Sequence, residues 1–174
     1  MKGAELMAEI TLYRGDLPAD VSFGSSVAVD TETMGLNLHR DRLCLVQLSA
    51  GDGKAVLVQI VKGVDCPNLK RLLTDESVLK IFHFARFDVT KILNDLGVIT
   101  APIYCTKIAS KLCRTSSPSH SLKSLCADLL GVELEKEQQT SDWGAEVLNE
   151  AQQKYAANAE LYLHALINIL DGLL

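Results

Sequence analysis

The chain lacks the features that mark membrane, secreted and disulfide-bonded proteins. Its apolar runs, such as residues 43–48 and 56–61, hold only a handful of residues, whereas a helix that crosses a bilayer needs about 18. The amino terminus shows no signal-peptide pattern. The five cysteines are an odd number without a Cys-x-x-Cys pair, which is typical of reduced thiols that pack as small hydrophobes. These absences predict a cytoplasmic protein without a membrane partner.

Positive charge is also scarce. Lys and Arg number 17 against 22 Asp and Glu, which gives a formal net charge of -5. A protein that coats long nucleic acid needs a wide basic surface, because its affinity grows with the number of phosphates that it neutralises. The charge therefore argues against a duplex-binding protein. It still permits a short oligonucleotide, whose few phosphates can be held by bound cations and one or two basic side chains.

The size and the order of the predicted elements indicate one α/β domain. The 174 residues are 48% hydrophobic, enough for a single globular core. Residues 1–174 are treated as one domain, with residues 1–6, which fit either a leader or a natural extension, set aside from the fold. The predicted strands are 27–30, 43–49, 55–60, 78–82 and 103–105, and the predicted helices are 68–73, 87–96, 106–114, 121–130 and one from about 146 to the end. This order predicts a mixed five-stranded sheet, an antiparallel meander followed by parallel strands, flanked by helices.

The most informative segment is 27–32, an apolar strand that ends in Asp30 and Glu32. Alternate residues of a strand point to the same side, so these two carboxylates crowd together. Such a pair has a raised pKa, a cationic side chain as partner, or a bound divalent cation that prefers oxygen ligands. Asp88, in the first turn of a helix that follows another strand, has an ordinary explanation as a helix-start acid. Both motifs nevertheless follow strand ends, where open sheets bind ligands.

Three ordered motifs resemble the DEDD superfamily of 3'-5' exonucleases, in the tyrosine-bearing branch that contains ribonuclease D. The first is Asp-Thr-Glu-Thr-x-Gly-Leu at 30–36, and the second is His-Phe-x-Arg-Phe-Asp at 83–88. The third is Ser-Asp-Trp at 141–143, followed by Tyr155-Ala-Ala. Within that branch, segments 36–44, 105–112 and 138–143 resemble the nanoRNase C family of short-oligoribonucleotide exonucleases.

The resemblance implies a ribonuclease H-like fold and an exoribonuclease that converts short RNA, down to dinucleotides, to 5'-mononucleotides. It implies two Mg2+ or Mn2+ ions held by Asp30, Glu32 and Asp88, a water oriented by Tyr155, and a homo-oligomer such as a ring octamer. The residues that it places near the substrate are Thr31, Met34, Gly35, Leu36, His83, Phe84, Lys136, Gln138, Gln139 and Trp143.

The chain departs from the family at the third motif, where the fourth residue after Tyr155 should be aspartate. That position is Ala159. Glu160 follows, but one residue is about 100° around a regular helix, so its carboxylate would point away from Tyr155. A local helix irregularity, or the longer side chain, would let Glu160 substitute. We therefore expect impaired catalysis, and the sequence leaves open whether the alanine is natural or introduced.

Two further readings of the sequence stay open beside the exoribonuclease. One is a catalytically silent member that binds RNA ends or dinucleotides. The other is a DNA-directed 3'-5' exonuclease, against which the net negative charge argues.

Overall fold

A computed structural model describes residues 8–135 and 138–174, which form one mixed sheet with helices on both faces. The strands are β1 (Glu9–Arg14), β2 (Ser26–Thr33), β3 (Leu43–Ser49), β4 (Lys54–Gln59), β5 (Leu79–Phe82) and β6 (Ile103–Cys105). Their order across the sheet is β1-β4-β3-β2-β5-β6. Strands β2, β3 and β4 pair antiparallel, as a meander does. Strands β5 and β6 then extend the sheet in parallel beside β2, which confirms the predicted α/β class.

Within the described part of the chain the sheet has six strands, where the sequence predicted five. The additional strand, β1, pairs in parallel with β4 from Glu9↔Lys54 to Arg14↔Gln59. It lies at an edge of the sheet and its residues are exposed or only half buried. Edge strands of this kind carry little of the apolar signal that identifies a buried strand.

The helices agree with the sequence pattern except near the carboxyl end. They are α1 (Pro67–Thr74), α2 (Ala85–Leu96), α3 (Thr106–Cys113), α4 (Leu122–Leu125) with a π-helical continuation (Cys126–Leu130), α5 (Glu150–Asn158), a 3-10 turn (Glu160–Tyr162) and α6 (Leu163–Leu173). The prediction of one unbroken helix from about residue 146 is wrong. Helix α5 begins at Glu150, because Asn149 and Gln152 form a capping box, and it ends before Glu160. None of the helices described is long and apolar enough to cross a membrane.

The alternation of β2 sends its side chains into two separate layers. Val27 and Val29 pack in the core that includes residues of α1 and α2. Ala28 packs in the opposite core, with residues of α6 and the 3-10 turn. By the same alternation Asp30 and Glu32 continue on the side of Ala28, which places both carboxylates on the face covered by α5 and α6.

Candidate active site

The two carboxylates of β2 are held in place by neighbouring polar groups. Oδ1 of Asp30 accepts a hydrogen bond of 2.9 Å from the backbone N–H of Thr31, and Oε1 of Glu32 accepts one of 3.2 Å from Nε2 of Gln47 on β3. Burial raises the pKa of Asp30 to about 6 against the opposing effect of the Thr31 bond. Burial, followed by the charges of Asp30 and Asp88, raises the pKa of Glu32 to about 9.

Asp88 reaches the same region from α2. The chain turns from β5 into α2 at Phe84, whose φ of 64° is uncommon for a residue other than glycine. Asp88 lies in the first turn of α2 and is 5% exposed. Its Oδ1 accepts a short hydrogen bond from the hydroxyl of Thr31. Burial and the charge of Asp30 raise the pKa of Asp88 well above its usual range, so the two carboxylates are electrostatic neighbours.

Tyr155 on α5 faces this cluster. Its ring packs against Trp143, with 5.9 Å between centroids and 32° between planes. Trp143 is 2% exposed and lies in a core cluster, so it fixes Tyr155 from the inside. Burial, with the charges of Glu32 and Asp30, raises the pKa of Tyr155 to about 12. The phenol is therefore protonated near neutral pH and can orient a ligand by hydrogen bonding.

Two adjoining cavities meet at these groups. The smaller measures about 180 Å³ and the larger about 410 Å³. Asp30, Glu32, Gln139 and Tyr155 line both. The remaining lining residues of the smaller cavity are Ser121, Leu122, Lys123, Leu134, Glu135, Asn158 and Ala159, and those of the larger cavity are Thr31, Thr33, Met34, Gly35, Leu36, Phe87, Thr140 and Ser141. The carboxylates thus stand at a junction with room for a ligand on each side.

The donor set suits a hard cation, although no closed metal site is already formed. In the described ranges, the charges that act on the pKa values of Glu32 and Asp88 come from acidic groups. Carboxylate oxygens are the ligands that Mg2+ and Mn2+ prefer. Across residues 8–135 and 138–174, no three His, Cys, Asp or Glu side chains stand in a ready-made metal-binding arrangement. Binding an ion would therefore require side chains to turn, Asp88 from Thr31 among them.

The third motif is altered as the sequence indicates, but the helix is not regular there. Ala159 lines the smaller cavity with Tyr155, so no carboxylate projects from that position. Glu160 begins the 3-10 turn, which packs against β2, β3 and β4. Its side chain is fully buried. Burial, followed by the charge of Asp30, raises its pKa well above the usual range.

The predicted substrate-contact residues divide into two groups. Thr31, Met34, Gly35, Leu36 and Gln139 line the larger cavity. A Cβ on Gly35 would come within 2.4 Å of Oδ2 of Asp41, so only glycine fits that position without a shift.

Of the other predicted contacts, Lys136 lies outside the described residues. Phe84, His83, Gln138 and Trp143 are not among the described residues that line either cavity. Nδ1 of His83 lies 2.9 Å from the hydroxyl of Thr106, and burial lowers the pKa of His83 to about 4. His83 is therefore neutral near pH 7, and its contact with the substrate stays a prediction.

Sequence reasoning missed the contribution of α4. Lys123 supplies a positive charge to the lining of the smaller cavity, beside Ser121 at the N-cap of α4. No spacing rule connects residues 121–123 with Asp30, because only tertiary packing brings α4 to this face of the sheet.

Comparisons with known proteins agree with the motifs. A family model described as 3'-5' exonuclease matches residues 16–174. The structure of Brucella melitensis NrnC bound to pGG is 50% identical with a TM-score of 0.90, over 95% of this chain and 81% of that chain. The same Brucella protein has also been solved with bound Mg2+, at 50% identity and a TM-score of 0.89 over the same shares of the two chains.

Two curated relatives are longer proteins. Ribonuclease D of Gluconacetobacter diazotrophicus is 33% identical over 144 residues, 83% of this chain and 36% of the relative. DNA polymerase I of Aquifex aeolicus is 36% identical over 138 residues, 79% of this chain and 22% of the relative. The chain thus spans about a third or less of the length of these two relatives. The ribonuclease H-like exonuclease fold expected from the motifs is confirmed. The chain belongs to the 3'-5' exonuclease family, within the DEDD superfamily.

Proposed function

We propose that the chain is a metal-dependent 3'-5' exoribonuclease that degrades short oligoribonucleotides, down to dinucleotides, to 5'-mononucleotides. The observation that carries the proposal is the position of Asp30 and Glu32 at the junction of two cavities, with Tyr155 beside them. A short RNA can place a nucleotide in each cavity and its scissile phosphate at the carboxylates. The Brucella relative solved with the dinucleotide pGG supports a substrate of this size.

Asp30, Glu32 and Asp88 would hold the divalent cations, two per site, as Mg2+ or Mn2+. Bound there, the cations lower the pKa of water and neutralise the charge that develops on the phosphate oxygens. Neighbouring polar side chains hold two of these carboxylates, and Asp88 would turn from Thr31 to reach an ion. Gln47 donates to Glu32 and Thr31 donates to Asp88.

Tyr155 would orient the attacking water through its protonated phenol, with its ring held by Trp143. The water oxygen forms a bond to phosphorus as the bond from phosphorus to the 3' oxygen breaks. The attacking water gives up a proton to solvent, and the departing 3' oxygen takes up a proton from solvent. Lys123 and Ser121 stand where they can bind a neighbouring phosphate of the substrate. The chain's own residues thus supply positioning, while the strongest electrophilic assistance depends on bound cations.

A catalytically silent RNA-binding member is the second candidate, and Ala159 favours it, because the family places an aspartate there. One assay separates the candidates. The natural chain and an Ala159→Asp variant are incubated with Mg2+ and 5'-labelled di- and heptaribonucleotides, with deoxy counterparts in parallel. We expect release of mononucleotides from RNA. Binding without cleavage by either protein supports the silent member, preference for the deoxy substrates supports a DNA-directed exonuclease, and neither binding nor cleavage refutes all RNA-directed proposals.

We also propose a cytoplasmic homo-oligomer, with a ring octamer as the expected assembly. Apolar side chains are exposed on α3, at Ile108 and Leu112, and at the end of α6, at Leu173. Exposed apolar surface of this kind is typical of interfaces between subunits. Sedimentation velocity measures the assembly, and a monomer at all concentrations would refute this part of the proposal.

A further inference from the structure

Glu160 is an unusual residue for the interior of a domain. Its side chain is 0% exposed. Within the described ranges neither Oε1 nor Oε2 has a hydrogen-bond partner. A buried carboxylate without a partner is costly, because it has lost water and gained nothing in return. A residue that only fills space beside Ala157, Leu161 and Leu163 would be apolar, so the carboxylate calls for another explanation.

The surroundings of Glu160 point to the cluster on β2. The charges of Asp30 and Glu32 act on it, and those two residues line the junction of the cavities. Glu160 lies on the 3-10 turn that packs against β2, β3 and β4, and Ala28, on the same face of β2 as Asp30, packs in one core with Leu161 and Leu163. Glu160 is thus a fully buried carboxyl group without a hydrogen-bond partner in the described chain, on the face of the sheet that carries Asp30 and Glu32.

We propose that Glu160 replaces the missing aspartate of the third motif as the fourth carboxylate that holds the divalent cations. This inference rests on the proposed function. It assigns the metal-binding role of the third motif to Glu160, one position after the place of the aspartate in the family pattern. Helix α5 ends at Asn158 and the chain tightens into the 3-10 turn at Glu160. The side chain of glutamate is also one methylene longer than that of aspartate, which extends its reach from the neighbouring position.

Ala159 agrees with this assignment. It lines the smaller cavity next to Tyr155 and Asn158, so a carboxylate there would add a further negative charge to Asp30, Glu32 and Glu160. The small side chain leaves that space to the ligand. Compared with the family pattern, the acidic residue thus stands one position later, at Glu160, and a small residue, Ala159, stands where the aspartate is expected.

The test measures cation binding directly rather than turnover. Mn2+ is titrated by calorimetry into the natural full chain and into Glu160→Gln, which removes the charge but keeps the shape. Glu146→Gln is the matched control, because the side chain of Glu146 is 79% exposed and, among the residues that the structure describes, forms an ion pair with Arg14 alone. The double variant Ala159→Asp with Glu160→Gln returns the acid to the family position. Thermal unfolding in EDTA accompanies each variant.

We expect Glu160→Gln to bind Mn2+ at least about 10-fold more weakly, the scale on which even supporting residues of metal sites act. The control should match the natural chain, and the double variant should regain most of the affinity. The metal-free Glu160→Gln protein should be as stable as the natural chain or more so, a result that a purely structural role for Glu160 would not give. Glu160→Leu, which suits the apolar surroundings, replaces Glu160→Gln if the amide fails to fold.

Unchanged Mn2+ affinity in both Glu160 variants would overturn the inference, and so would a natural chain that binds no Mn2+. The proposed function can fail independently. Mn2+ binding that depends on Glu160, in a chain that cleaves no oligoribonucleotide, would refute the exoribonuclease proposal and retain the assignment of Glu160.

Discussion

Raising the pH of the metal-free protein should destabilise it. In the folded chain Glu32 holds its proton up to a pKa of about 9, whereas an unfolded glutamate loses it near 4.3. A carboxyl group with a raised folded pKa contributes stability that is complete below its unfolded pKa and is lost as the pH rises through its folded pKa. For each proton that the folded state binds and the unfolded state does not, the free energy of unfolding falls by about 1.4 kcal/mol per pH unit.

The window from about pH 7 to about pH 8.5 lies between the unfolded and the folded pKa of Glu32. Burial lowers the pKa of His83 to about 4 and also lowers that of His164, so these two residues add little slope there. Burial raises the pKa of Cys126 to about 12, so its thiol adds to the loss where unfolded thiols begin to ionise, near about pH 8.5. Glu32 alone then predicts a loss of roughly 2 kcal/mol of unfolding free energy across the window. Asp88 and Glu160, whose pKa values are also raised, act in the same direction.

Urea denaturation in EDTA at several pH values measures the slope. The same series with saturating Mg2+ should show a gain in stability that grows with pH, because a cation binds the ionised carboxylates and not the protonated ones. Glu32→Gln should reduce the metal-free slope by the contribution of that one carboxyl group, whereas Glu146→Gln, at an exposed site, should leave the slope unchanged. Metal-free stability that stays flat or rises between about pH 7 and about pH 8.5 would refute the reasoning.

Three further substitutions test other parts of the site. Tyr155→Phe should lower the turnover of a dinucleotide about 10²-fold, because the attacking water is no longer positioned, and should leave the Mn2+ affinity unchanged. Turnover equal to that of the natural chain would contradict the role of Tyr155 in orienting the water. Lys123→Ala should raise the KM for a dinucleotide with little change in kcat, while exposed Lys62→Ala serves as its control in the same steady-state assay. Gly35→Ala should reduce dinucleotide binding in fluorescence titrations, because its Cβ would meet Asp41 at 2.4 Å; full affinity would show that the loop adapts freely.

The meander and the two carboxylates of β2 were predictable because their signals are local. Residues 43–49 form a continuous buried run, and the order of residues from Val27 to Glu32 assigns each side chain to a face. The strand β1 escaped detection because its residues are exposed or half buried and pair only at an edge of the sheet. Local pattern thus identifies buried strands better than edge strands.

The other parts of the site depend on tertiary packing. Helix periodicity places Glu160 away from Tyr155, and nothing in the sequence indicates the change to a 3-10 turn that packs Glu160–Tyr162 against β2, β3 and β4. Lys123 reaches the smaller cavity because α4 packs on the same face. Conversely, His83 and Trp143 stand in family motifs but are not among the described residues that line the two cavities. The motifs alone therefore do not tell what each of their side chains touches.

Anomalous diffraction from crystals soaked in Mn2+ tests the central claim most directly. We predict density for Mn2+ beside Asp30, with oxygens of Glu32, Asp88 and Glu160 turned toward the ions, and none in crystals of Asp30→Asn treated in the same way. Natural-chain crystals with no anomalous peak at Asp30, or with peaks only at surface carboxylates, would contradict a site that works through bound cations.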